Sequence, residues 1–282
     1  LYKSIVILSA AKDRSAVPSS LRATRNLQPA PGNSQLRTCN RPPAIIIQSA
    51  MQTTPVTANS LQLTRYGFVN CYLVRESDGF TLVDTGLPNC EDAILAAASA
   101  AGAPIRRILL THAHMDHVGS VDALIQKLPT APILAASKRS IPLLAKPPDK
   151  SLQSGEPAGS IKGGLPGIDA KLTHTVAPGE LFGSLRVFDT PGHIPGHLSF
   201  LDERDGTLFA GDALIGFGGL TVSGFAPWYF PLPNLATWNK ATALASARSL
   251  LSLPIERFAS GHGKVVAGGI PALQAAIAKA SA

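Results

Sequence analysis

The chain predicts an α/β fold built as two β-rich halves, each closed by helices. Three observations predict it. Short apolar runs of strand length alternate with alanine-rich helical stretches, glycine sits directly after several of the apolar runs, and 45% hydrophobic against 15% charged residues over 282 positions can bury a sizeable core. In the first half, residues 66–75 and 80–84 read as strands around the turn Ser77-Asp78-Gly79. Asn89 is placed to cap a helix over 91–101, whose alanines favour the helical state and which Gly102 ends. Residues 105–110 return as strand, and 118–128 read as helix with Val121, Leu124, Ile125 and Leu128 on one face. In the second half, 172–176, 185–189, 198–202 and 207–210 read as strands. Pro233-Asn234 opens a helix that runs through Leu253, residues 255–259 are strand, and 270–280 close the chain as helix. No internal repeat is readable.

Residues 1–50 differ in character. They mix Ser, Pro, Arg and Asn without periodicity and carry Lys3, Lys12, Arg14, Arg22, Arg25, Arg37 and Arg41 against Asp13 alone, which is +6 of the chain's +7. The segment reads as a basic leader, disordered or non-native, with Met51 as the expected start of one domain over 51–282; a transit-like segment is the alternative. The remaining +1 leaves a nearly neutral domain, which argues against a nucleic-acid partner. No run approaches the ~18 apolar residues of a membrane span, so no membrane partner is expected. Cys39, Cys71 and Cys90 are odd in number and lack Cys-x-x-Cys spacing, which argues against a disulfide framework and for a reducing cytoplasm; Cys71, in the apolar run 68–74, reads as a small buried side chain.

Residues 111–119 read Thr-His-Ala-His-Met-Asp-His-Val-Gly, directly after the apolar run 105–110. Three imidazoles and a carboxylate crowded at a buried strand end would leave several desolvated polar groups. A divalent cation resolves the conflict, because imidazole nitrogen and carboxylate oxygen are both good zinc ligands and the short spacing lets one loop face two ions. Four groups so close cannot all reach one tetrahedral ion without strain, so further ligands must come from elsewhere. Three later segments supply candidates: Thr190-Pro191-Gly192-His193-Ile194-Pro195-Gly196-His197, Ala210-Gly211-Asp212-Ala213 and Ser260-Gly261-His262-Gly263. Each follows an apolar run, and glycine there permits the close backbone approach that turns a short side chain into a shared cavity.

In this order the motifs resemble those of the metallo-β-lactamase fold superfamily, from about Thr64 to the C-terminus, and together they are far more specific than the first alone. The resemblance implies a four-layer αβ/βα sandwich of two mixed β-sheets flanked by helices, with a catalytic domain over 51–282. It implies that His112, His114 and His193 hold one metal, that Asp116, His117 and His262 hold a second, and that Asp212 bridges them. Two Zn2+ per chain are the expected cofactors, with iron or mixed metals as the alternative. Val83-Asp84-Thr85-Gly86 resembles the family's early strand-end motif, whose aspartate supports metal-bound histidines; by residue type alone Asp84 caps a turn equally well. His197 is read as hydrogen-bonded support rather than a ligand, and His174 as a strand residue outside the site. Two ions ~3.5–4 Å apart can share a hydroxide whose pKa falls toward ~7. Asp116 is the candidate catalytic residue, orienting that nucleophile or passing a proton to the leaving group.

Phe217, Phe225, Trp228, Tyr229 and Phe230 follow Asp212 in a proline- and glycine-rich stretch, where such clustering forms either core packing or the apolar wall of a substrate pocket. The expected substrate is a small molecule, a lactone or carboxylic ester as in acyl-homoserine lactonases, with residues 216–230 receiving the acyl chain. Thioesterase or β-lactamase activity on the same centre is the alternative. Glyoxalase II proteins carry a helical C-terminal domain, whereas 20 residues follow His262 here; B1 and B2 β-lactamases use cysteine at the position of Asp212, and B3 enzymes usually lack it. An expectation of another class is the persulfide dioxygenase, with one iron held by two histidines and a carboxylate. The sequence leaves oligomeric state open, a homodimer being one option.

Overall fold

The computed structural model describes residues 51–282; the leader reading of residues 1–50 lies outside the described residues. The first half begins with β1 (Gln52–Pro55), β2 (Ser60–Arg65), β3 (Val69–Glu76) and β4 (Gly79–Val83), an antiparallel meander. Helix α1 (Glu91–Ala100) crosses to β5 (Ile105–Leu109), and α2 (Met115–Val118) and α3 (Val121–Lys127) lead to β6 (Ile133–Ser137). After α4 (Ser140–Leu144) and a long irregular stretch, β7 (His174–Val176) completes a seven-stranded mixed sheet ordered as in the chain.

The second half continues through β8 (Leu181–Phe182), β9 (Leu185–Asp189), β10 (Leu198–Asp202), β11 (Thr207–Gly211), and the small hairpin β12 (Leu214–Ile215) and β13 (Thr221–Val222). Helices α5 (Leu232–Ala236) and α6 (Lys240–Ser249), a 3-10 turn, β14 (Arg257–Ser260), β15 (Val266–Ala267) and α7 (Gly269–Ser281) follow. The second sheet runs β15-β14-β11-β10-β9-β8, with β14 parallel to β11.

Successive strand residues point to opposite faces, and here both faces are apolar because both are covered. Leu73, Leu82 and Ile108 face Ile94, Val121, Leu124 and Leu143 of the outer helices, while their neighbours Val74, Val83 and Leu109 face the second sheet. Phe200, Phe209 and Ala259 meet them there, and the alternating Leu201, Leu208 and Phe258 pack under Ala243, Ala247, Leu273 and Ile277. Helices, sheet, sheet and helices thus form the four-layer sandwich. Fully burying each leucine, isoleucine, valine or phenylalanine among them contributes about 1.5–3 kcal/mol.

Several expected boundaries move, each for a tertiary reason. The strand expected over 66–75 starts at Val69, because Tyr66 and Gly67 turn the chain with φ of 53° and 79° out of the unforeseen β2. Asn89 does not cap α1; it adopts φ 65°, and Cys90 occupies the cap without a side-chain bond. The helix expected over 118–128 is two helices, broken at Gly119, whose N–H donates to the Gly86 carbonyl at 3.0 Å. The helix expected from Pro233 to Leu253 breaks at Thr237–Asn239, where Trp238 and Asn239 N–H groups donate to the carbonyls of His193 and Gly192, both at 2.9 Å. Asn239 then caps α6 by accepting from Thr242 N. The strand expected over 172–176 shortens to β7, and β6 was not foreseen. Among the described residues, no helix is long and apolar enough to cross a membrane.

Candidate metal centre

The carboxyl ends of two parallel strand pairs, β4 with β5 and β11 with β14, deliver most of the site. Asp84 follows β4, the His112–His117 loop follows β5, Asp212 follows β11 and His262 follows β14, while His193 and His197 come from the turn between β9 and β10. Close approach requires glycine. At Gly211, with φ of +47°, a Cβ would stand 2.7 Å from His197 Nε2 and 2.8 Å from Thr111 Oγ1.

Hydrogen bonds set the direction of each ring. His114 Nε2 lies 2.9 Å from the Lys162 carbonyl, which only accepts, so Nε2 carries the proton and Nδ1 keeps its lone pair. The Thr111 hydroxyl donates to Asp84 Oδ2 at 2.8 Å, so Thr111 Oγ1 accepts from His112 Nδ1 at 3.0 Å and leaves His112 Nε2 unprotonated. His112 Nε2 and His193 Nε2 stand 3.1 and 3.0 Å from His114 Nδ1. Lone pairs facing at such distances repel, and a cation among them attracts them all. A tetrahedral ion with bonds of ~2.0–2.1 Å spaces its ligand atoms ~3.3 Å apart, which this triad approximates. Burial pushes His112 and His193 well below the ordinary imidazole pKa and His114 below it, keeping all three in the neutral form that binds metal.

A second cluster adjoins the first. His262 Nε2 lies 3.2 Å from Asp116 Oδ2 and 3.1 Å from Asp212 Oδ2, and His117 Nε2 lies 3.3 Å from Asp212 Oδ1. Asp212 Oδ2 is also 3.5 Å from His193 Nε2, so this one carboxylate reaches both clusters. Asp84 Oδ2 accepts from His117 Nδ1 at 2.7 Å and the Phe68 carbonyl accepts from His262 Nδ1 at 3.2 Å, aiming both Nε2 atoms inward. His117 Nε2 and Asp212 Oδ1 are buried and face each other without the alignment of a hydrogen bond. Two orphaned buried atoms in a set of imidazoles and carboxylates fit a divalent cation.

The electrostatics agree. Burial alone would lower His117 and His262, but Asp212, with Asp84 and Asp116, outweighs it and holds His117 well above the ordinary range and His262 up to about 10. Burial would raise the carboxyls of Asp212 and Asp116, yet His117 and His262 hold both below the usual range. Protons thus balance, in the cation-free arrangement, the charge that metal would balance.

His197 stands behind the clusters. Its Nε2 accepts from the Asp212 N–H at 3.0 Å, Nδ1 faces Thr190 Oγ1 at 2.9 Å, and burial lowers its pKa to about 3. Asp84 does not cap a turn through its side chain; it holds the Thr111 N–H at 2.8 Å together with His117. His174 lies apart on the sheet edge, 2.7 Å from Glu180.

The expected aromatic wall divides. Phe230 meets His262 edge-on at 5.6 Å and stacks on Phe217 at 4.4 Å. Phe225 does not join them; a turn in which its N–H donates to the Val222 carbonyl at 3.0 Å keeps it beside β13, on the outer core of the second sheet beneath Lys240. Trp228 and Tyr229 form an exposed rim, 82% and 50% accessible. Sequence reasoning missed Phe68, which stacks on His262 at 6.2 Å, and Ser223 and Thr237, which contact His193 Nδ1. It also missed the carbonyls of Lys162 and Phe68, since a backbone group leaves no residue-type signal. Thr111, beside the first ligand motif, was readable.

The family pattern described as Metallo-beta-lactamase superfamily matches residues 64–262. The chain is 46% identical over 213 residues to the uncharacterized protein YobT of Bacillus subtilis, covering 75% of this chain and 90% of that protein. It is 34% identical over 125 residues to the hydroxyacylglutathione hydrolase of Methylobacillus flagellatus, covering 44% of this chain and 40% of that enzyme. The crystal structure of TTHA1623 in a di-iron-bound form has a TM-score of 0.54 and 28% identity, covering 74% of this chain and 94% of that one. A pattern match that spans the whole ligand-bearing region, on a sandwich whose strand ends bring those ligands together, makes this chain a member of the metallo-beta-lactamase superfamily of metallo-hydrolases.

Proposed function

We propose that the protein is a dinuclear metal-dependent hydrolase acting at the carbonyl of a lactone or carboxylic ester with an apolar acyl part. The observation that carries this reading is Asp212, one buried carboxylate lying 3.5 Å from His193 Nε2, 3.1 Å from His262 Nε2 and 3.3 Å from His117 Nε2. His112, His114 and His193 would hold one cation, Asp116, His117 and His262 the other, with Asp212 shared. The nitrogen-rich donor set favours zinc, and the likeness to di-iron TTHA1623 keeps iron as the alternative. A bound pair of such ions supplies Lewis-acid polarisation of the acyl oxygen and acidifies water to near-neutral pKa.

The chain's own residues do the rest. Asp116 has a side chain 29% accessible, against 4% for Asp212, so its carboxylate meets incoming solvent. From there it orients a water toward the acyl carbon and carries a proton to the departing alcohol oxygen. Phe68, Phe217 and Phe230 supply an apolar surface beside His262 on which the acyl chain packs, excluding water from the bond to be cleaved. A thioester is the second reading, favoured by the similarity to hydroxyacylglutathione hydrolase. The single-iron dioxygenase reading uses two histidines and one carboxylate and leaves the second converging group, Asp116, His117 and His262, unexplained.

The test is elemental analysis together with a panel of acyl-homoserine lactones, aryl esters, acyl thioesters and β-lactams. About two ions per chain and metal-dependent lactone or ester turnover that improves with acyl length are expected. Turnover confined to thioesters selects the second reading, and one iron with oxygen uptake overturns both.

A further inference from the structure

We propose that Ser223 and Thr237 are positioning residues, a two-hydroxyl relay that locks His193 in the tautomer whose Nε2 is free to take a cation. The proposal rests on the reading of His193 as a metal ligand. The relay is anchored at the Pro233 carbonyl, which has no proton to give. Thr237 Oγ1 lies 2.6 Å from it, so the threonine hydroxyl donates there. With its only proton committed, Thr237 Oγ1 can only accept from Ser223 Oγ, 2.9 Å away. The serine proton is committed in turn, so Ser223 Oγ accepts from His193 Nδ1 at 3.0 Å. A neutral imidazole carries one N–H, and placing it on Nδ1 leaves the Nε2 lone pair facing His114 Nδ1 at 3.0 Å.

Burial makes the relay decisive. Ser223, Thr237 and His193 are 0%, 2% and 1% accessible, so solvent does not compete for these bonds. The same segment grips the backbone, since Trp238 and Asn239 N–H groups hold the carbonyls of His193 and Gly192. His117, His262 and His114 donate directly to a carboxylate or a carbonyl, groups that cannot reverse. A hydroxyl can reverse, and only its anchor fixes the direction.

This gives an order of effects that simple contact loss would not. Thr237→Val removes the anchor and frees Ser223 to donate to Nδ1, which drives the proton to Nε2 and blocks the ligand atom. Ser223→Ala removes the nearer hydroxyl but leaves Thr237 Oγ1, 3.3 Å from Nδ1 and still able only to accept. The more distant substitution is therefore the more damaging one. The experiment is nitrogen NMR of histidine-labelled, metal-free protein, with zinc affinity measured by chelator competition. Wild type is expected to show His193 protonated at Nδ1. Thr237→Val is expected to move that proton to Nε2 and weaken one zinc site about 10- to 100-fold, Ser223→Ala to keep the tautomer with a smaller loss, and Thr237→Ser to restore both readouts. An Nε2–H tautomer in wild type, an unchanged tautomer in folded Thr237→Val, or a larger loss in Ser223→Ala overturns the proposal. Failure of the ligand reading would look different: zinc affinity would be unmoved in His193→Ala whatever the tautomer.

Discussion

Replacing Gly261 by alanine places one methyl group inside the second ligand cluster. Its backbone has no left-handed φ, so alanine adopts the same conformation without strain and the effect is purely one of contact. The added Cβ stands 2.5 Å from His117 Cε1 and 3.2 Å from His117 Nε2, and closer still to Asp212 Oδ1. Carbon atoms pack at ~3.5–4.0 Å, so about 1 Å must be found. The glycine cannot retreat, because its N–H donates to the Gly211 carbonyl at 2.7 Å and its carbonyl accepts from Asn70 N at 2.9 Å. His117, tied to Asp84, and Asp212 must therefore move. Overpacking of this kind costs about 1–3 kcal/mol of stability. A ~1 Å misplacement of catalytic groups costs on the order of 100-fold in rate. Gly164→Ala serves as the control, since its Cβ meets nothing nearer than Met115 Cβ at 4.0 Å. Metal content, kcat and urea melts of both variants are the assay. A Gly261→Ala protein with wild-type metal affinity and turnover would refute the placement of the second cluster.

Asp84→Asn keeps the shape but offers an amide N–H to His117 or Thr111, so metal affinity is expected to fall about 10- to 100-fold by chelator competition; no change would remove Asp84 from the site. Zinc binding near pH 7 should release about two protons per chain, from His117 and His262, measured by calorimetry in buffers of different ionisation enthalpy; binding without release would contradict the charge balance. In metal-free protein the folded His262 titrates near 10 against ~6.5 unfolded, so its stabilising contribution is complete below about pH 6.5 and disappears as pH rises through 10, which melts across that range can follow. Phe230→Ala should raise KM for long-chain acyl substrates several-fold more than for acetyl substrates; an equal effect on both would exclude the ring from the acyl surface.

The α/β class was legible because both faces of each central strand are buried, which writes pairs such as Leu73-Val74 and Phe200-Leu201 into the chain as continuous apolar runs. The ligand types were legible too, since three imidazoles and a carboxylate within residues 112–117 have no ordinary reason to crowd a strand end. What stayed hidden depended on partners distant in sequence. The helix expected through Leu253 breaks at Thr237 because the His193 and Gly192 carbonyls outbid its own for two N–H groups. Phe225 and Phe230 look alike in the chain, yet one lies on the outer core and the other beside His262. Residue identity by itself determined which side chains can bind a cation and which surfaces must be covered, because those are properties of single groups. Only the tertiary structure decided which nitrogen of each ring faces inward, because that depends on carbonyls and hydroxyls brought up from elsewhere in the fold.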